Sequence, residues 1–337
     1  MKLIRKHILA LMALMLVLVG CEHKDLCIDH PHVVPVRVDA DWSKLMDLPV
    51  NMSVMFYPQD GSDVIVVHNN NHKTAKAKLP VNTYDVVVFN ELMGELGGVN
   101  FQNMDRFETA EAYLSESMLY RGSKGDSDDV VVADPERMGV GVYRGLEITQ
   151  EMLDTYRSQK EQGLPTDEAV IAVTPENIVY DVEVRIPVKG LNFVRSLECT
   201  LSGMAEGYKL GECGPSSNKV THEISNWQKT IAEESEDSGE GVISGRCLSF
   251  GLPSDHTAQP HQNVLKLSAL LIDDKTVLDF AFEVGHLFTK DNTLNSIKLC
   301  IELDVEIVYP DVEFEESVDN GITIDPGFDG DHWVEWK

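Results

Sequence analysis

Residues 297–307 have the sequence IKLCIELDVEI, in which every odd position is Ile, Leu or Val and every even position is Lys, Cys, Glu or Asp. Because side chains alternate across a β-strand, this period places the apolar groups on one face and the polar groups on the other. One buried and one solvated face is typical of a strand in an antiparallel β-sandwich. The stretch therefore predicts an all-β fold.

Other parts of the chain predict further strands. The same alternation covers residues 34–42, 52–56 and 180–188. Residues 84–89 are apolar without interruption, which is typical of a strand buried on both faces. Residues 267–272 and 276–284 flank an Asp-Asp-Lys sequence and predict a β-hairpin. We predict two tandem antiparallel β-sandwich domains with a minor helical content.

Residues 149–162 are the best candidate for a helix. Thr149 is suited to the N-cap, Gly163 to the left-handed position after the last turn, and Pro165 prevents continuation. A second, short helix is predicted over residues 109–120.

The N-terminus has the organisation of an export signal. Three basic residues within the first six positions precede an apolar run over residues 8–19, followed by Gly20 and Cys21. The run is too short to span a membrane comfortably, since that takes about 20 apolar residues. The ending Leu-Val-Gly-Cys resembles the lipobox of bacterial lipoproteins, which implies cleavage between Gly20 and Cys21 and a covalent lipid on Cys21. The alternative is an ordinary secretory signal with a chance cysteine.

The chain length accommodates two domains after this signal. We predict a signal peptide (1–20), a lipid-anchored linker (21–31), an N-terminal β-sandwich (32–166), a C-terminal β-sandwich (167–309) and an acidic C-terminal tail (310–337). Removing the signal changes the formal net charge from -28 to -31, because it takes away three basic residues and no acidic ones. A surface this acidic repels nucleic acid, so no nucleic-acid partner is expected.

Several short motifs occur in a particular order along the chain. They are Leu26-Cys27, Asp29-His30-Pro31-His32, residues 36–42, Met55-Phe56-Tyr57-Pro58, residues 79–90, Val173-Thr174-Pro175, residues 201–207 and Phe250-Gly251. In this order and spacing the chain resembles the fimbrillin-like lipoproteins, an uncharacterised branch related to type V pilus subunits and their anchors. The resemblance extends to about Tyr309 and does not include the tail.

The resemblance implies a transthyretin-like fold for both domains, display on the cell surface, and assembly by strand exchange. In strand exchange one subunit lends an extended segment to a sheet of the next. Short strand-like pieces in the tail, such as Val312 with Phe314 and Ile322 with Ile324, favour a docking role for residues 311–337. A solvated acidic tail is the alternative.

No catalytic pattern is found, and the chain is not expected to be an enzyme. His23, His30 and His32 near the anchor are interpreted as part of a proline-stiffened linker rather than a metal site. The aspartates at 126, 128 and 129, and those at 325, 329 and 331, are interpreted as solvated loops rather than calcium ligands. His222-Glu223 lacks the second histidine of a zincin helix. No cofactor is expected apart from the lipid on Cys21.

The sequence around the remaining cysteines and the tryptophans predicts that these side chains pack in the fold rather than take part in reactions. Cys199 alternates with leucines and is expected in the core, whereas Cys300 is expected to face solvent, and no disulfide is predicted. Trp42 fits a core alternation. Trp227, Trp333 and Trp336 lie in segments that have no clear strand pattern.

The sequence is compatible with two functions. The first is a fimbrillin-like lipoprotein of the outer membrane, exposed at the cell surface, acting as a structural component or anchor of a pilus or adhesive fibre. Its partners are the membrane and other fimbrillin-like subunits. The second is a monomeric surface lipoprotein that binds a glycan or a host ligand.

Overall fold

The computed structural model describes residues 32–117, 130–231, 239–293, 296–312 and 334–335, and within them strands predominate. The strands are β1 (Val34–Ala40), β2 (Met52–Pro58), β3 (Ile65–Asn69), β4 (Thr74–Leu79), β5 (Asn82–Asn90), β6 (Val99–Gln102), β7 (Glu111–Leu114), β8 (Val131–Val132), β9 (Gly139–Ile148), β10 (Ala169–Val173), β11 (Glu176–Asn177), β12 (Tyr180–Lys189), β13 (Val194–Ala205), β14 (Gly207–Lys209), β15 (Gly214–Pro215), β16 (Lys219–Glu223), β17 (Ser225–Ile231), β18 (Gly241–Ser249), β19 (Val264–Leu271), β20 (Val277–Glu283), β21 (Thr289–Thr293), β22 (Ser296–Glu302), β23 (Ile307–Val308) and β24 (Val334–Glu335).

Five sheets contain these strands. Sheet A has the order β10-β1-β4, sheet B β11-β9-β5-β2-β3, sheet C β15-β14-β7-β6, sheet D β20-β19-β13-β16-β8 and sheet E β17-β18-β12-β22-β21. Sheets A and B enclose one hydrophobic core, and sheets D and E enclose another. The prediction of an all-β chain with two sandwiches is confirmed.

The centre of sheet B is buried on both faces. Val86 and Val88 of β5 point into the core shared with sheet A, whereas Val87 and Phe89 point into a third core beneath sheet C. This explains the uninterrupted apolar run at residues 84–89, since neither face of the strand meets water. The first sandwich is therefore covered by a third layer.

The second sandwich follows the alternation of its central strand. Val182, Val184, Ile186 and Val188 of β12 are fully buried between sheets D and E. The predicted hairpin is confirmed, because β19 and β20 pair in antiparallel register from Val264 opposite Glu283 to Leu270 opposite Val277.

The predicted helix at 149–162 is confirmed as α1 (Gln150–Glu161). The Thr149 hydroxyl accepts a hydrogen bond from the Met152 amide at 3.2 Å, which satisfies one of the free N–H groups of the first turn. Gly163 adopts φ +67° just beyond the helix, the left-handed conformation that glycine takes at little cost. Leu153 is buried in the core of the first sandwich.

Two local predictions need correction, and the structure places one tryptophan that the sequence pattern left unplaced. The expected helix at 109–120 is wrong where the chain is described, since Glu111–Leu114 is the strand β7 between β6 and β14. The strand predicted at 297–307 ends at Glu302, and a separate short strand, Ile307–Val308, follows. Trp227, which had no strand pattern, is buried in β17.

The pairing is not antiparallel throughout. Strand β1 pairs in parallel with β10, and β12 pairs in parallel with β22 and β23. Parallel neighbours need a long crossover, and in both cases other strands of the sandwich lie between the partners in sequence. An alternating pattern identifies a strand but does not specify the direction of its neighbour.

The two halves of the chain share structure. In sheet C, β7 from the first half pairs with β14 from the second, and β8 pairs in parallel with β16. Strand β10 completes sheet A although it follows the boundary predicted at 166. The domain limits stay a prediction, while packing associates Ala169–Val173 with the first half. Within the described residues, no helix has the length and hydropathy needed to cross a membrane.

Candidate assembly surface

The edge of β13 is only partly covered. Strand β19 pairs along β13 from Val194 to Leu201, but on the opposite side β16 pairs only from Thr200 to Ala205. On that side β16 supplies no strand partner to residues 194–198, and a stretch of edge that its neighbouring strand does not cover is a template for an added strand. We call the segment 194–198 of β13 the open edge.

The open edge exists because β16 ends with Glu223 opposite Thr200, and the chain then leaves sheet D. The Ile224 amide donates to the Cys199 carbonyl at 2.8 Å, and the chain then crosses to β17 in sheet E. Asn226 adopts φ +54° at the crossing, and Trp227 is buried, with its Nε1 donating to the Ile224 carbonyl at 3.1 Å. The buried indole fixes the place where β16 ends.

The end of the chain occupies the open edge. Strand β24 pairs with β13 in antiparallel register, with Glu335 opposite Ser196 and Val334 opposite Leu197. The tail therefore meets the second sandwich by main-chain pairing at the position that β16 leaves free. The rest of the predicted tail beyond residue 312 lies outside the described residues.

The first strand is held on both sides. Strand β1 is the centre of sheet A, with β4 antiparallel on one side and β10 parallel on the other. Val34, Val36 and Val38 are buried in the core of the first sandwich. Arg37 points outward, with its Nε 3.3 Å from an Asp39 oxygen and a guanidinium nitrogen 3.8 Å from Glu168. The strand nearest Cys21 is thus an integral part of the fold.

Most of the site residues predicted from sequence lie outside the described part of the chain. These are Gly20, Cys21, His23, His30, the six aspartates of the two acidic loops, Trp333 and Trp336. His32 is described and exposed, and its Nδ1 lies 3.5 Å from a guanidinium nitrogen of Arg157. Trp42 is buried as predicted.

The described cysteines are free thiols. Cys199 and Cys247 are buried, Cys300 is half-buried and Cys213 is exposed. The core position predicted for Cys199 is confirmed. Burial raises the pKa of the Cys247 thiol well above its usual value, and the nearby Asp134 and Cys199 raise this pKa further.

Sequence reasoning missed one cluster with metal-binding chemistry. Asp134, His222 and Cys247 each offer a ligand atom, and these three atoms lie within 4.8 Å of one another. The residues come from distant positions, so no local spacing identifies them. Only the meeting of sheets D and E brings them together.

An open cleft lies at one end of the first sandwich. Its lining includes Met46, Leu48, Glu91, Glu95 and Arg137. Leu48 is 68% exposed, and among the described residues the lining of the cleft contains no aromatic side chain.

The fold and the open edge define a protein of the tandem β-sandwich class. Residues 20–225 match a family described as a domain of unknown function, DUF5119, and the chain belongs to that family. This match, together with the relative described next, confirms the resemblance seen in the sequence motifs.

The relatives have fimbrial or adhesive names. The chain is 25% identical over 209 residues to a Bacteroides ovatus protein named "Putative fimbrium anchoring subunit Fim4B", covering 62% of this chain and 56% of the relative. The chain thus spans just over half the length of that relative.

Two solved structures are similar to this chain, and the first of them shows the same fold. A crystal structure from B. ovatus described as a "putative adhesin" is 18% identical with a TM-score of 0.58, covering 87% of this chain and 98% of that one. The fimbrial anchor protein Mfa2 of Porphyromonas gingivalis is 10% identical with a TM-score of 0.47, covering 80% of this chain and 90% of that one.

Proposed function

We propose that the chain is a lipid-anchored surface protein that forms part of a fimbrium, in an anchor or short-fibre position. It joins neighbouring subunits by strand exchange at the open edge of β13. The observation that carries the proposal is β24, an extended segment at the end of the chain that is paired with this edge.

Strand exchange needs an acceptor edge and a segment able to leave its own domain. The open edge supplies main-chain groups next to a well-packed sheet, because β13 is covered by β19 on its other side. Within the described residues, β24 pairs with β13 at two positions. The tail can therefore leave its own edge and pair with the open edge of the next subunit, where a longer pairing would contribute more main-chain hydrogen bonds.

The anchor position is supported by β1 and by the relative's name. The resemblance to type V pilus subunits implies a distinction between positions in the fibre, since shaft subunits there lose the lipid and the first strand by proteolysis after a basic residue in a loop. Here Arg37 lies in the centre of β1, between two partner strands, so cleavage would require sheet A to open. The lipid on Cys21 is therefore retained, and the protein stays at the outer membrane. The relative that carries the name of a fimbrium anchoring subunit agrees with this position.

The alternative, a monomeric binder of a glycan or host ligand, has less support. Among the described residues, the cleft of the first sandwich is lined by charged side chains such as Glu91, Glu95 and Arg137 and by no aromatic side chain, whereas an aromatic platform is what a sugar ring stacks on. We therefore propose a structural role rather than an enzymatic or sugar-binding one.

Envelope extracts of the native organism test the proposal. A subunit joined by strand exchange gives ladders that resist SDS at low temperature and collapse on boiling. The matched control is a chain truncated after Pro310, which retains both sandwiches. We expect ladders from the full chain and monomers from the truncated chain. Monomers from both chains would favour the monomeric binder.

A further inference from the structure

Three ligand-bearing side chains meet at the border of the second sandwich. His222 lies in β16 of sheet D, Cys247 lies in β18 of the facing sheet E, and Asp134 follows β8. His222 is opposite Val132 of β8, which places the Asp134 loop next to the histidine. The His222 Nδ1 is 3.8 Å from a carboxylate oxygen of Asp134.

The histidine has an unusual environment. His222 is fully buried, and Cys247 is 1% exposed. Within the described residues, neither ring nitrogen of His222 has a hydrogen-bond partner. Because a buried polar atom without a partner is costly, the fold would ordinarily supply one. A ligand atom held between the three side chains would satisfy Nδ1.

The Asp134 carboxylate is held in place by its backbone. On one side the Ala133 amide donates to the Ser115 carbonyl at 3.0 Å, and on the other the Glu136 amide donates to the Gly97 carbonyl at 2.8 Å. Gly98, at φ +70°, packs so closely that a Cβ there would lie 2.3 Å from the Asp134 carbonyl oxygen. The loop is therefore anchored to its neighbours. The carboxylate is 40% exposed, which gives the cluster an opening to solvent.

The donor set defines the type of ligand. One imidazole nitrogen, one thiolate sulfur and one carboxylate oxygen suit Zn²⁺, whereas Ca²⁺ and Mg²⁺ prefer oxygen atoms only. Bonds of about 2.0–2.3 Å in a tetrahedron place the ligand atoms roughly 3.5 Å apart. The separations here, at most 4.8 Å, require a contraction of up to about 1.3 Å, to which the partly exposed Asp134 side chain can contribute.

We propose that Asp134, His222 and Cys247 bind one Zn²⁺ ion, which connects sheets D and E with the loop after β8. The fourth position faces the open side of the cluster and takes water. The ion deprotonates the thiol, as zinc does when it binds cysteine, and the proton is released to solvent. This site is independent of the proposed role in a fimbrium.

Cobalt titration of the purified full chain tests the site, because a cobalt–thiolate bond gives a charge-transfer absorption that oxygen and nitrogen ligands do not give. We expect one Co²⁺ per chain with this band, and displacement of cobalt by Zn²⁺. The control variant carries Cys27→Ser, Cys213→Ser and Cys300→Ser, which leaves Cys21 and the buried pair Cys199 and Cys247, and it should keep the band. Cys247→Ser should lose it.

The variant Asp134→Asn provides a second test of the site. This substitution should not disturb the core, because the Asp134 side chain is partly exposed. We expect its Co²⁺ affinity to fall by about tenfold or more. Zn²⁺ should raise the Tm of the wild type and the control variant more than that of Asp134→Asn. The proposal is overturned if the wild type shows no thiolate band or if the control loses the band. Equal cobalt affinity in Asp134→Asn and the wild type also overturns it.

Discussion

Val334, three residues from the last position of the chain, lies opposite Leu197 of β13 in an antiparallel pairing. Leu197 is fully buried in the core of the second sandwich. The tail thus reaches a strand that is central to its own domain, at the edge that β16 leaves open. This contact connects the stability of one subunit with the edge proposed for assembly.

Removal of the tail is expected to destabilise the chain slightly. Truncation after Pro310 removes the two pairings of β24, and each main-chain hydrogen bond contributes about 1 kcal/mol. The Tm of the truncated chain should therefore be a few degrees lower, about 2–4 °C for each kcal/mol. Calorimetry measures the difference. A chain ending at residue 332 is the matched control, because it loses only β24 and the residues next to it. An unchanged Tm in both truncations would show that β24 does not stabilise its own domain.

Lipidation is expected at Cys21. Cys21→Ala should leave the precursor uncleaved at this site and without a lipid, because the cysteine sulfur is the acceptor. Mass spectrometry of the mature N-terminus reports both outcomes, and Cys27→Ala is the matched control that should be processed normally. A mature wild-type protein that starts elsewhere and has no acyl mass would contradict the lipoprotein assignment.

Arg37 is expected to resist proteolysis. It lies in the centre of sheet A, so a protease must first open β1 from both neighbours. Arg106 is 76% exposed outside any strand and is the internal comparison. Limited digestion with trypsin, followed by N-terminal sequencing, should show cleavage after Arg106 well before cleavage after Arg37. A surface form isolated from cells that begins beyond Arg37 would instead indicate a shaft subunit.

Stability is expected to fall at high pH through Tyr84. Burial raises the pKa of Tyr84 from 10.0 to about 12, and Asp60 contributes to the increase. The folded state therefore keeps the proton that the unfolded state loses, so this stabilisation is complete below pH 10 and is lost as the pH rises to about 12. The free energy of unfolding should decrease by about 1.4 kcal/mol per pH unit in this window.

Tyr84→Phe tests this pH dependence. The variant should lose about 1 kcal/mol at neutral pH, because the Tyr84 hydroxyl donates to the Pro80 carbonyl at 3.0 Å. Above pH 10 its unfolding free energy should decrease less steeply than that of the wild type. A residual dependence remains, because burial also raises the pKa of Tyr57, Tyr208 and Tyr309. Urea unfolding at several pH values provides the measurement, with the surface variant Tyr143→Phe as control. Parallel curves for the wild type and Tyr84→Phe would contradict the assignment.

The sequence alone determined the elements that depend on local pattern. The alternation in β12 and the uninterrupted apolar run in β5 predicted a strand with one buried face and a strand with two. Thr149 and Gly163 predicted the two ends of α1. These features follow from the side-chain period of a strand and from backbone geometry at helix ends, which involve only residues close in sequence.

The tertiary structure decided which elements became neighbours. The alternation at 297–307 could not show that β22 runs parallel to β12, because the same period suits either direction. Trp227 lies in a polar segment and is buried only because the chain crosses between sheets there. The open edge of β13 and the cluster of Asp134, His222 and Cys247 likewise arise from contacts between distant segments. Such contacts depend on how the whole chain closes around its cores, and no short stretch of sequence contains that information.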